Sequence, residues 1–204
     1  MKKQQSGFTL IEIAIVLVII GLLLGGVLKG QEMMTNAKIK RGVNDYNGMS
    51  AAIFSYLDRY SALPGDDPNA NGRWASVAPT NGTLGDGIIA GACTSVTNTD
   101  ETAAVIENLR QSGLVSGTGY AKPNNAFTGV ICIEDGGIGT TVTTTITGTM
   151  VCMNQVEGKI GEILDLQLDD GVGDTGEVQN ANMTGGAQDA TYAQNGLYWV
   201  CRKL

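Results

Sequence analysis

Hydrophobic residues are distributed very unevenly along this chain. From Phe8 to Leu28 there is a single charged residue, Glu12, and no proline; Lys2 and Lys3 precede the run. A helix of that length rises about 30 Å, roughly the hydrocarbon thickness of a bilayer. The run is too long for an ordinary signal-peptide core and has no small-residue cleavage pattern behind it. Beyond Lys29 the pattern changes from continuous to periodic. Apolar residues fall at Ile39, Val43, Tyr46, Met49, Ile53, Tyr56 and Tyr60, in steps of three and four. That spacing places one apolar stripe along a helix. The two segments together predict one helix from about Phe8 to about Ser61, stopped by Leu63-Pro64-Gly65-Asp66.

Downstream the elements shorten. Residues 69–92 read as loop around Trp74. Glu101 to Gln111 reads as a short helix, with Val105, Ile106 and Leu109 apolar and Gly113 as its stop. Phe127 to Glu134, Thr140 to Thr147, Thr149 to Met153 and Leu197 to Leu204 are strand candidates. Glu157 to Leu168 favours a short helix through Ile160, Ile163, Leu164 and Leu168, and residues 171–194 read as polar, Gly-rich loop. One helix followed by a mixture of short helices and strands is an α+β pattern.

Composition narrows the functions open to such a chain. Lys and Arg number 13 against 20 Asp and Glu, a formal net charge of −7. The acids concentrate between Ser61 and Val200, so this region suits neither DNA nor RNA as a partner. Histidine is absent, which removes Ser-His and Cys-His catalysis and the commonest metal ligand. No carboxylate pair shows catalytic spacing, and the expectation is a non-enzyme. Cys93, Cys132, Cys152 and Cys201 all lie beyond the apolar run and none form a C-x-x-C pair. An even set in an exported domain predicts two disulfides, with three connectivities open.

Glu12 is the residue that a plain membrane anchor has no use for, because a carboxylate in lipid needs a partner. Its context, Ser6-Gly7-Phe8-Thr9-Leu10-Ile11-Glu12, resembles the processing segment of type IV prepilins and of type II secretion pseudopilins. The resemblance covers about the first thirty residues. It implies cleavage between Gly7 and Phe8 by prepilin peptidase, N-methylation of Phe8, and contact between Glu12 and the N-terminal amine of a neighbouring subunit. It divides the chain into a leader (1–7), a transmembrane and filament-core helix (8–28), its amphipathic continuation (29–62) and a globular head (63–204). The fold implied is pilin-like α+β: a long N-terminal helix packed on an antiparallel β-sheet head with long loops.

The resemblance further implies a precursor crossing the inner membrane once with its head in the periplasm. Its partners would be identical or related pilin subunits in a helical filament, the peptidase and an inner-membrane assembly platform. The product would be an extracellular pilus or, alternatively, the periplasmic pseudopilus of a type II secretion system; a minor pilin acting as an adhesin is a third reading. A pairing near the C-terminus, Cys152 with Cys201 and Cys93 with Cys132, resembles the disulfide-bounded region of many pilins; Cys132 with Cys152 is the rival. No cofactor is required. Asp67, Asn69 and Asn71 open like an EF-hand loop but lack its closing Glu, and Asp170 and Asp174 lie in a second acidic loop. Some pseudopilins hold calcium in a C-terminal loop, so both are candidate calcium sites, against the plainer reading that Asp, Asn and Gly make turns.

Overall fold

The computed structural model describes residues 9–76, 78–136 and 142–204. In chain order the elements are α1 (Leu10–Tyr60), α2 (Ala70–Trp74), α3 (Glu101–Gln111), β1 (Ile131–Gly136), β2 (Gly148–Glu157), α4 (Gly158–Leu168), β3 (Val178–Asn182) and β4 (Leu197–Lys203). The chain divides into two units, up to Lys38 and from Ile39 onward.

The first unit is the apolar half of α1. None of its most hydrophobic window is buried, and Leu10, Ile11, Leu17, Leu22, Leu23 and Leu28 all stand more than 60% exposed. A surface of that kind is stable in lipid or against other helices, not in water.

The second unit is built on a four-stranded antiparallel sheet in the order β1-β2-β4-β3. Alternation along each strand sorts its side chains between two faces, as the period of two requires. Ile131 and Ile133, Val151 and Met153, Tyr198 and Val200 face one way, into a core shared with α1, α3 and α4. Cys132, Met150, Cys152, Trp199 and Cys201 face the other way, into a smaller core that Cys93, Val142 and Ile146 complete.

From Ile39 onward α1 buries Ile39, Gly42, Tyr46, Met49, Ala52, Ile53 and Tyr56. The stripe read from the sequence is there, with two shifts. Val43 and Tyr60 are only half-buried, and Gly42 and Ala52 take inner positions instead. Gly42 has a steric reason: a Cβ there would stand 3.1 Å from the Phe127 ring. The Tyr46 hydroxyl donates to the Val200 carbonyl, tying the helix to β4.

Four predicted elements come out differently. Residues 69–92 contain the short helix α2. β1 begins at Ile131 rather than Phe127, because Asn125 turns the chain first: its Oδ1 accepts the amides of Phe127 and Gly129, and Thr128 adopts φ 70°. Within Thr140–Thr147, the first two residues lie outside the described ones, and 142–147 is not a strand. It is a strap over the second sheet face, where Val142 and Ile146 are buried and Thr145 donates through its amide and hydroxyl to Gln179 Oε1. β3, in turn, was hidden in what reads as loop.

Candidate functional site: the start of the long helix

Gly7 and Phe8, the predicted cleavage pair, lie outside the described residues. Thr9 and Glu12 are described, and they form a reciprocal capping pair. The Thr9 amide and hydroxyl both donate to Glu12 Oε2, at 2.8 and 2.7 Å, and the Glu12 amide donates to Thr9 Oγ1 at 3.3 Å. This is the Ser/Thr-x-x-Glu arrangement that satisfies the orphan amides opening a helix. It was legible as Thr9-Leu10-Ile11-Glu12, but reading the segment only for membrane insertion passes over it. Glu12 therefore has a role before any second molecule arrives: it caps the helix that carries it. Behind it, Gly21, Gly25, Gly26 and Gly30 have no atom within 4 Å of where a Cβ would stand. Among the described residues nothing requires glycine at these four positions.

In the second unit, the structure gives the candidate cation ligands other work. Asp67 accepts from the Tyr56 hydroxyl at 2.7 Å and the Asn69 amide at 2.9 Å, and it forms an ion pair with Arg73. Asn69 precedes α2 and Asn71 lies inside it. The alternation of donors that suggested an EF-hand opening is thus broken by a helical turn, and the acid at its head is taken by an arginine. In the later loop, carboxylate oxygens of Asp165, Asp169 and Asp170 lie within 4.8 Å of one another; Asp174 is not part of that trio. Asp165 accepts from Tyr192 and Gly171, Asp169 from the amides of Glu177 and Val178, and Asp170 from Val172 and Thr175. These acids hold the loop in shape.

A second set of acids holds residues 85–93, which have no strand partner. Asp66 takes the amides of Gly85 and Gly87, Asp135 that of Ile89, Glu101 that of Ala90 and Glu134 that of Cys93. All four carboxylates are buried. They substitute for the ladder that a strand would supply, since buried amides need acceptors. Nothing in the sequence assigns this work to the adjacent Glu134 and Asp135; a Gly-rich loop with no strand pattern of its own was the signal that acceptors had to come from elsewhere.

Burial raises several of these groups. Glu101 and Glu134 are pushed up to about 7, in each case mainly by desolvation, and Asp165 to about 6 for the same reason. Lys122, buried beside Glu134, is lowered to about 8. A carboxylate raised on folding binds its proton more tightly in the folded chain, so the stability it contributes is full below its unfolded value and is lost as pH climbs through the folded one. Lys122 is charged in both states below about 8 and leaves that window unchanged. The chain in detergent is therefore expected to melt at a higher temperature at pH 5 than at pH 8. Glu101→Gln should flatten the difference, as followed by circular dichroism against pH.

The disulfides are Cys93–Cys132 and Cys152–Cys201. Cys132 also stands directly opposite Cys152, and Cys152 opposite Cys201, in neighbouring strand registers. Three of the four cysteines thus form one row across the sheet, with Cys93 brought to it by the clamped loop.

Comparison with known families bears on the first unit. Residues 2–28 match the prokaryotic N-terminal methylation motif, the signature of prepilins and pseudopilins. The match is confined to this N-terminal segment, and the long N-terminal helix with a four-stranded antiparallel head is the pilin-like α+β architecture expected from the sequence. Curated proteins and solved structures gave no match.

Proposed function

We propose that the chain is a structural subunit of a type IV pilus-like filament. It is made as an inner-membrane precursor with its head in the periplasm and is cut between Gly7 and Phe8 by prepilin peptidase. The observation that carries this reading is the wholly exposed apolar half of α1, opened by a motif for N-terminal methylation. Helices with such a surface exchange lipid contact for contact with one another at little cost in hydrophobic burial, so one segment serves both as anchor and as filament core. The four glycines with open space beside them allow neighbouring helices to approach closely in either setting.

Cleavage adds a chemical step to this change of surroundings. Once residues 1–7 are gone, Phe8 carries an ammonium four residues before Glu12 in the sequence. Each charge alone is costly in an apolar bundle, and pairing the carboxylate of one subunit with the amine of the next offsets part of that cost and sets axial register. The Thr9 cap keeps Glu12 hydrogen-bonded until then. N-terminal sequencing from cells with and without prepilin peptidase tests the first step. A chain beginning at Phe8 only in the presence of the peptidase is expected; a chain beginning at Met1 in both contradicts it. Thr9→Ala should leave that cleavage intact and lower the helix content of the isolated N-terminal segment in micelles, because the cap contributes about 1 kcal/mol.

A further inference from the structure

Both disulfides lie in one sealed cluster that also holds a carboxylate. Cys93, Cys132, Cys152 and Cys201 are fully buried in the core that Val142 and Ile146 of the strap help to close. Glu134 stands two residues beyond Cys132 on β1, so the alternation of the strand turns it to the same face. It too is fully buried. Cys93 Sγ, Cys152 Sγ and a carboxylate oxygen of Glu134 lie within 4.8 Å of one another, although Cys93 and Cys152 belong to different disulfides. Glu134 Oε2 accepts the Cys93 amide at 3.1 Å, and its Oε1 accepts no hydrogen bond among the described residues. A buried polar atom without a partner calls for a reason.

The choice of cysteine partners supplies one. Cys152 has a cysteine opposite it on each side, Cys132 on β1 and Cys201 on β4. Cys132 Sγ stands 3.9 Å from the Cys152 carbonyl oxygen. Strand register therefore allows a Cys132–Cys152 bridge as well as Cys152–Cys201. Cys132 and Cys152 are 20 residues apart, against 39 and 49 for the two native pairs, and the shorter loop costs less to close. Such a bridge would leave Cys93 and Cys201 as thiols.

We propose that the cluster is an internal thiol–disulfide exchange site, in which Cys93 resolves a Cys132–Cys152 bridge and Glu134 carries the proton. The Cys93 thiol gives its proton to Glu134, and the thiolate attacks Cys132 Sγ. The Cys93–Cys132 bond forms as the Cys132–Cys152 bond breaks, and the leaving Cys152 sulfur takes the proton back from Glu134. One disulfide and one thiol stand on each side of the step, so it needs no oxidant. Closing Cys152–Cys201 afterwards is a two-electron oxidation, with an external disulfide as the acceptor.

The attacking species in such an exchange is a thiolate, which burial among apolar groups disfavours. Val142, Ile146, Met150 and Trp199 pack around the sulfurs, so the proton needs an acceptor inside the core. Attacking sulfur, leaving sulfur and carboxylate are the three groups gathered within 4.8 Å, and Cys201 is not part of that group. Desolvation pushes Glu134 up to about 7, against the lowering effect of the Cys93 amide, the Lys122 charge and the nearby Val142 amide, while Asp135 raises it. The strap residues 142–147 carry no charge. A carboxylate poised there both accepts and returns a proton at neutral pH.

The test uses the full-length chain with Cys201→Ser, which keeps the three sulfurs of the exchange and drops the fourth. Reduced chain in detergent is given glutathione disulfide until it holds one disulfide, then freed of oxidant and acid-quenched at intervals for peptide mapping of alkylated thiols. Cys132–Cys152 should form first and convert to Cys93–Cys132 at constant disulfide content, the free thiol passing from Cys93 to Cys152. At pH 7, Glu134→Gln should slow the conversion at least about tenfold without changing its product. With Glu134 in place the rate should level off above about pH 7; with Gln it should keep climbing about tenfold per pH unit as thiols ionise. A Glu134→Gln rate within about twofold of the Glu134 rate, or a Cys132–Cys152 form that never appears or never converts, would overturn the exchange site. If circular dichroism shows that Glu134→Gln does not fold, the pH profile of the Cys201→Ser chain decides alone. A plateau above about pH 7 then supports the site, and an unbroken rise of about tenfold per unit overturns it.

Discussion

Replacing Glu12 with valine is expected to leave the processed chain in the inner membrane and remove it from filaments. The apolar run is untouched by the change, and its hydrophobicity rises, so insertion should not suffer. What is lost is the one charge that can meet an incoming ammonium. Leaving an ammonium unpaired in a closed helical bundle costs about 3–5 kcal/mol, equivalent to about two to three and a half orders of magnitude in an association constant. Glu12 also caps its own helix through Thr9, and the two roles are separable. Glu12→Gln keeps an oxygen for the Thr9 amide and hydroxyl but carries no charge. If pairing with the amine is what matters, Glu12→Gln fails in filaments as Glu12→Val does. If capping is what matters, Glu12→Gln behaves like the unaltered chain and Thr9→Ala fails. Immunoblots of sheared and membrane fractions read both outcomes.

Removing Cys152–Cys201 should produce the largest loss of stability in the head. The bond joins β2 to β4 at the centre of the sheet and closes a separation of 49 residues. In the chain-entropy model such a loop contributes about 4 kcal/mol. At roughly 2–4 °C per kcal/mol for a domain of this size, Cys152→Ser with Cys201→Ser should lower the melting temperature by about 10 °C. Cys93–Cys132 closes 39 residues but ties a loop to the edge strand β1, a loop already held by four carboxylates. Its loss should cost less than the entropy model allows and should mainly loosen residues 85–93. Thermal melts of both double variants, with and without reductant, check the order. A smaller loss for the Cys152–Cys201 variant would contradict it.

The sequence revealed elements wherever apolar residues repeat with a clear period. α1, α3, α4 and β4 were all visible because stripes such as Tyr46-Met49-Ile53-Tyr56 have one structural reading. β3 was not visible. Its sequence, Val178-Gln-Asn-Ala-Asn182, has three polar residues in five, yet Gln179 and Asn180 are buried because they serve the strap at Thr145 and the loop at Asp189. Polar strands of that kind are defined by tertiary hydrogen bonds, which leave no periodic trace. The same applies to the acids. Asp67 looked like a ligand because it sits among Asn and Gly, and only the fold shows Arg73 and Tyr56 reaching it. Glu12 was legible for the opposite reason: one charge in an apolar run is conspicuous, although the part Thr9 plays in holding it was not read.

Intact mass spectrometry of filaments sheared from native cells, without reductant, tests the central claim most directly. The account predicts an abundant chain that begins at N-methylated Phe8 and is four hydrogens lighter than the fully reduced form, as two disulfides require. A processed chain confined to the membrane fraction would move the subunit from a surface pilus to a pseudopilus or a minor role. A chain still beginning at Met1 in native membranes would contradict the account and leave the apolar half of α1 as an anchor alone.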